Sequence, residues 1–181
     1  MRKLFVTEFV TLDGIAHAPN EWSSPYWTEE IGKFKLEETM TSDALLLGRV
    51  TYEGFAAAWP GRTDEAGFAD RFNSMPKYVV STTLVKAEWN NSNIISSNVL
   101  AEINALKQQS GQDIAIHGSV ELVDSLMPHN LIDEYRLLVY PLVIGKGKRL
   151  FGDGNEAKLT LTESKSYSSG VTLLRYTPDQ A

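Results

Sequence analysis

There is no cysteine in this chain of 181 residues. Disulfides, thiolate metal sites, iron–sulfur clusters and thiol nucleophiles are excluded with it. Basic residues are also scarce: 17 Lys and Arg against 23 Asp and Glu give a formal charge of −6. Affinity for nucleic acid comes largely from cationic groups on phosphates, so a polyanionic partner is not expected. A single small basic pocket stays open. Long apolar runs are missing as well. Glu8 ends the first one far short of a signal-peptide core, and no stretch approaches the ~20 apolar residues that span a bilayer. A cytoplasmic protein without membrane contact is expected.

Several motifs are absent too. The three spaced glycines of a dinucleotide fold, the glycine-rich loop ending in Gly-Lys-Ser/Thr and the paired histidines of a metalloprotease do not occur. His17, His117 and His129 have no ligand-like spacing, so no metal is expected. No serine sits in a nucleophile elbow. Internal repeats and low-complexity tracts are lacking.

What is present is a globular composition, 43% hydrophobic and 22% charged, of a length that suits one domain over residues 1–181. Residues 4–10 read as a strand ended by the turn signal Asp13-Gly14. Residues 20–28 read as an irregular loop, after which Thr28 caps a helix to Met40 with Ile31 and Phe34 inward. The run Ala44-Leu45-Leu46-Leu47 suits a strand buried on both faces, and Gly48 turns it into a helix. A short helix through Phe72 precedes a strand at 77–81. Asn98 can cap a helix with Val99, Ile103 and Leu106 on one face.

Residues 113–119 repeat the order of strand, glycine and helix, with Val120, Val123 and Met127 inward until Pro128. A long strand at 132–140, a glycine-containing loop and a hairpin of strands at 159–167 and 171–176 finish the chain. This alternation predicts a three-layer α/β/α fold: a mixed, mostly parallel sheet with a C-terminal antiparallel hairpin.

Ligands of open α/β sheets bind outside the carboxyl ends of the strands. Three such positions carry small, hydroxyl or cationic residues: Gly48-Arg49-Val50-Thr51, Ser81-Thr82-Thr83 and His117-Gly118-Ser119-Val120. Glycine admits a ligand close to the backbone, a helix start offers free N–H groups, and arginine offers a planar fork for phosphate. Each has a plainer reading: Arg49 as half of a surface ion pair, Ser81 and Thr82 as turn residues, His117 as a packed side chain. Together they suggest an extended phosphate-bearing ligand, such as a dinucleotide. Aromatic residues Trp22, Tyr52 and Phe55 offer faces for a planar heterocycle, although they equally fill cores. Asp13 is the best-placed acid, or else only a turn former.

Those three stretches, in this order, resemble the cofactor segments of the dihydrofolate reductase superfamily. Thr11-Leu12-Asp13-Gly14 and Tyr140-Pro141-Leu142-Val143-Ile144-Gly145-Lys146-Gly147 are more similar to its riboflavin-biosynthesis reductase branch. The resemblance implies a dihydrofolate-reductase-like fold and NADPH bound by Gly48, Arg49, Thr51, Ser81, Thr82, His117, Gly118, Ser119 and Val120. It implies a nicotinamide near Asp13 and Gly14, a heterocyclic substrate beside Gly14, Trp22, Tyr52 and Phe55, and a homodimer. Hydride transfer to a pyrimidine- or pterin-like ring is the activity it implies, in the manner of 5-amino-6-(5-phosphoribosylamino)uracil reductase. Two departures stand out. The first long helix has Gly32 where dihydrofolate reductases carry an acid, with Glu29 and Glu30 about one turn away, and His117 replaces a glycine. Asp13 and Glu30 are the candidate acids. Dihydrofolate reduction, and binding without turnover, are the alternatives.

Overall fold

Residues Leu4–Thr11 (β1) alternate their side chains between two faces, and almost all are buried. Leu4, Val6 and Val10 meet Ile103 and Leu106 of α5 (Val99–Gln108) and Leu122, Val123 and Leu126 of α6 (Val120–Leu126). Phe5 points the other way, into a cluster with Leu45, Leu47, Phe72 and Val79. Helices α3 (Arg49–Ala58) and α4 (Phe68–Ser74) cover that side. Beside them, Ile31 and Phe34 of α2 (Glu29–Met40) pack on Tyr140 and Leu173. Helices thus cover both faces of one sheet. Burying each large side chain contributes ~1.5–3 kcal/mol, so these clusters dominate the stability.

The computed structural model describes residues 1–179. The remaining strands are β2 (Ser42–Gly48), β3 (Lys77–Val80), β4 (Ser92–Ile95), β5 (Asp113–His117), β6 (Glu134–Tyr140), β7 (Leu159–Ser166) and β8 (Thr172–Pro178). Their order across the sheet is β4-β3-β2-β5-β1-β6-β8-β7. The first six run parallel, and β8 and β7 close the edge antiparallel. The expected three-layer, mostly parallel fold with a terminal hairpin is the observed one. All the parallel strands end on the same side, which concentrates their following loops there.

Three local expectations need correction. Residues 20–28 are not irregular throughout: Pro19–Trp22 forms a single helical turn, α1, and Ser24–Tyr26 a 3-10 turn. Strand β4 has no counterpart in the reading of the sequence. Asn98 does not cap α5 with its side chain; it adopts a left-handed conformation, φ 50°, and its side chain makes no capping bond. Thr28, by contrast, accepts the Ile31 N–H as expected.

Candidate active site

Strands β2 and β5 are neighbours, and at the carboxyl end of each the chain turns straight into a helix. Gly48 opens α3 and Ser119 opens α6, and neither helix start carries a side-chain cap. Ser119 joins the two turns instead. Its Oγ accepts the Gly48 N–H at 2.9 Å, and its own N–H donates to Thr51 Oγ1 at 2.9 Å. Gly118 lies between, at φ +57°, where a Cβ would stand 3.2 Å from the Thr51 methyl. Only glycine fits that position without displacement. Among the described residues, the Arg49 and Val50 N–H groups have no hydrogen-bond acceptor.

A cleft of ≈ 1480 Å³ runs over these strand ends. That exceeds the ~300–1,000 Å³ of an ordinary one-ligand pocket, and leaves room for two ligands side by side. Gly48, Arg49, Thr51, Ser81, Thr82, His117, Gly118, Ser119 and Val120 all border it, as does Phe55. The sheet therefore gathers three segments far apart in sequence onto one surface. Arg49 is half exposed and pairs with Glu53 at 2.8 Å, one helical turn on. Such an exposed pair is worth only ~0.3–0.5 kcal/mol, so the guanidinium is readily released to an anion. Ser81 accepts the N–H groups of Thr83 and Leu84, the turn role its sequence also allowed.

The polar floor of the cleft was not legible in the sequence. Thr7 and Lys35 border it beside His117, and Glu8 borders it from the opposite face of β1. Lys35 Nζ donates to Thr7 Oγ1 at 2.8 Å and to Glu38 Oε2 at 2.6 Å, both buried. Arg136 approaches Glu38 from behind at 3.5 Å and lies over the Phe5 ring. His117 meets Phe55 and Phe72 edge-on, and burial, with Lys35 and Arg136 nearby, holds its imidazole well below the ordinary range and so neutral. Glu8 is 3% exposed and makes no hydrogen bond through its side chain among the described residues. Burial holds its carboxyl well above the usual range, with Lys35 opposing.

Other expected site residues lie elsewhere. Asp13 is outside the cleft: it accepts the Thr11 hydroxyl and the N–H groups of Ile144 and Gly145, which hold it below the usual carboxylate range. It clasps two loops together. Gly14 completes that turn at φ +83° without bordering the cleft. Glu30 accepts the Ser168 N–H and hydroxyl, tying α2 to the terminal hairpin. Tyr52 is in the core, 3% exposed, where its hydroxyl accepts the Trp89 N–H. Trp22 packs edge-on against Tyr140, donates to the His17 carbonyl, and lines a separate cavity of ≈ 330 Å³. Trp27, beside Gly32, borders the cleft, as does Trp59.

Known structures share this arrangement of elements. The fold is similar to dihydrofolate reductase from Enterococcus faecalis complexed with NADP(H), with a TM-score of 0.63 over 98% of this chain and 97% of that one, at 16% identity. It is also similar to a diaminohydroxyphosphoribosylaminopyrimidine deaminase/5-amino-6-(5-phosphoribosylamino)uracil reductase from Thermotoga maritima. There the TM-score is 0.71 at 14% identity, over 98% of this chain and 57% of that one. In sequence, the protein YyaP of Bacillus subtilis (strain 168) is 30% identical over 97% of this chain and 94% of its own length. Residues 2–173 match the family described as the RibD C-terminal domain, and the chain belongs to that family.

Proposed function

We propose that the protein is an NADPH-dependent reductase of a pyrimidine- or pterin-like heterocycle, of the 5-amino-6-(5-phosphoribosylamino)uracil reductase type. The observation that carries this reading is the pair of uncapped helix starts at Gly48 and Ser119, set side by side on one cleft of ≈ 1480 Å³. Unpaired N–H groups and the positive end of α3 favour a phosphate there. These donors, the glycine at 118 and the releasable cation at 49 fit a phosphate-bearing dinucleotide. Arg49 would take the 2′-phosphate, and Ser81 and Thr82 would flank the adenosine. Gly118, Ser119 and Val120 would hold the pyrophosphate. When bound, NADPH supplies the hydride.

The substrate side would be built by Phe9, Trp27 and Phe55, whose rings border the same cleft and can stack on a planar ring. Thr7 and the Lys35 ammonium would supply polar contacts at its floor. The reductase reading is preferred to dihydrofolate reduction because Gly32, backed by Trp27 at 3.7 Å, occupies the helix position where that activity would want an acid. Incubating the protein with NADPH and 5-amino-6-(5-phosphoribosylamino)uracil tests the proposal. Substrate-dependent loss of NADPH absorbance is the expected result. Binding of NADPH with no oxidation by any pyrimidine or dihydropterin would instead favour a non-catalytic binding protein.

A further inference from the structure

The floor of the cleft is built with one polarity. Thr7 and Phe9 point to the same face of β1, and His117 stands beside Thr7 across the β1–β5 ladder. Lys35 reaches this spot from α2, 2.8 Å from Thr7 Oγ1 and 5.6 Å from the centre of the Phe9 ring. Of the other α2 residues that border the cleft, Glu29 and Lys33 are exposed and paired with each other, and Gly32 and Leu36 carry no polar side chain. Lys35 is thus the buried polar group that α2 sets at the floor.

A lysine ammonium has three N–H bonds. Lys35 spends two, on Thr7 and on Glu38 Oε2 at 2.6 Å, and Thr7 donates its own proton to the same Glu38 oxygen at 2.9 Å. Glu38 is 2% exposed and does not border the cleft. Among the described residues, one N–H of Lys35 is left. The His117 imidazole is unspent as well: it borders the cleft at 9% exposure, and no hydrogen bond ends at its ring among the described residues. Lys35 and Arg136 make its surroundings positive. The carboxylates that border the cleft stand apart from this floor. Glu29 and Glu121 are exposed and paired with lysines, and Glu8 projects from the other face of β1. A ring edge of N–H donors would find no free carboxylate here and would leave the ammonium unpaired. A carbonyl oxygen would accept from it. We infer that Lys35 sets the substrate specificity of the site: its remaining N–H, beside His117, takes a ring carbonyl oxygen, so the cleft admits oxo-pyrimidines and rejects rings that present amino groups there.

This inference rests on the reading of the cleft as the heterocycle site of a reductase, and the test separates the two. Calorimetry in the presence of NADP+ compares 5,6-diaminouracil with 2,4,5,6-tetraaminopyrimidine, which has amino groups in place of both oxo groups. The wild type should bind the diaminouracil ~10–100-fold more tightly, the worth of a hydrogen bond to a charged group. Replacing the pair together, Lys35→Met with Glu38→Leu, removes the cation without stranding a buried carboxylate, and Arg136 keeps Glu134 at 2.6 Å. In that variant the preference should disappear. Looser packing would weaken both compounds alike, so the ratio reads specificity and not folding. Lys35→Gln has two N–H bonds, enough for Thr7 and Glu38 and none for a ligand. It should lose the preference too, and serves if the double variant does not fold. Equal binding of both compounds by the wild type, or a preference that survives in the variants, overturns the role of Lys35. The reductase reading then still stands if 5-amino-6-(5-phosphoribosylamino)uracil drives loss of NADPH absorbance. A preference that depends on Lys35, with no NADPH oxidation, keeps the assignment and discards the reductase reading.

Discussion

Lys35 and Glu38 form a buried ion pair in the wall of the cleft, with side chains 8% and 1% exposed. Lys35→Met leaves the buried Glu38 carboxylate with the Thr7 hydroxyl and with Arg136 as its remaining cation, and should cost ~3–5 kcal/mol in a denaturant melt. His117 gives a pH signature of the opposite kind. Its folded-state pKa lies well below the ordinary 6.5, so its contribution is fully present above that value. As pH falls from about 6.5, the unfolded chain takes up a proton that the folded one refuses, and stability drops. The melting temperature of His117→Phe should fall less over this window than that of the wild type. These residues also mark the limit of what the sequence reveals. Gly48, Arg49, Ser81 and Gly118 stand at strand ends, where local pattern exposes them. Glu8 appears in the sequence only as a charge that interrupts an apolar run, and its chemistry depends on which helices bury it.

Helix starts differ in a way that mutation can measure. Thr28 caps α2 through a side-chain bond, so Thr28→Ala should destabilise by ~1 kcal/mol. Asn98 makes no such bond and sits at φ 50°, so Asn98→Gly should be neutral or slightly stabilising in the same thermal melt. At both places a polar residue precedes an apolar period, and the extended Thr28 and left-handed Asn98 backbones decide which side chain can cap. Strand β4 was illegible for a related reason. Its four residues, Ser92–Ile95, are polar in the first half and become a strand by pairing with β3 at the sheet edge. The central strands β2 and β5, being apolar and bounded by glycine or aspartate, announce themselves without a partner.

At the scale of the whole molecule, the sheet order converts three distant segments into one surface. Strand β5 enters between β2 and β1, and this crossover brings Ser119 to Gly48 and His117 to Thr7. The order of motifs along the chain indicated a common ligand. The sequence could not reveal that Tyr52 and Trp22 face away from it, because aromatic residues in a core and in a pocket wall look alike before the helices are docked. The central claim is that this surface binds NADPH through the two helix starts and Arg49. Equilibrium titration of NADPH and NADH against the wild type and Arg49→Ala tests it most directly. The wild type should bind NADPH more tightly than NADH, and Arg49→Ala should weaken NADPH while leaving NADH nearly unchanged. Absence of NADPH binding at high concentration, or equal loss of both cofactors in the variant, would contradict it.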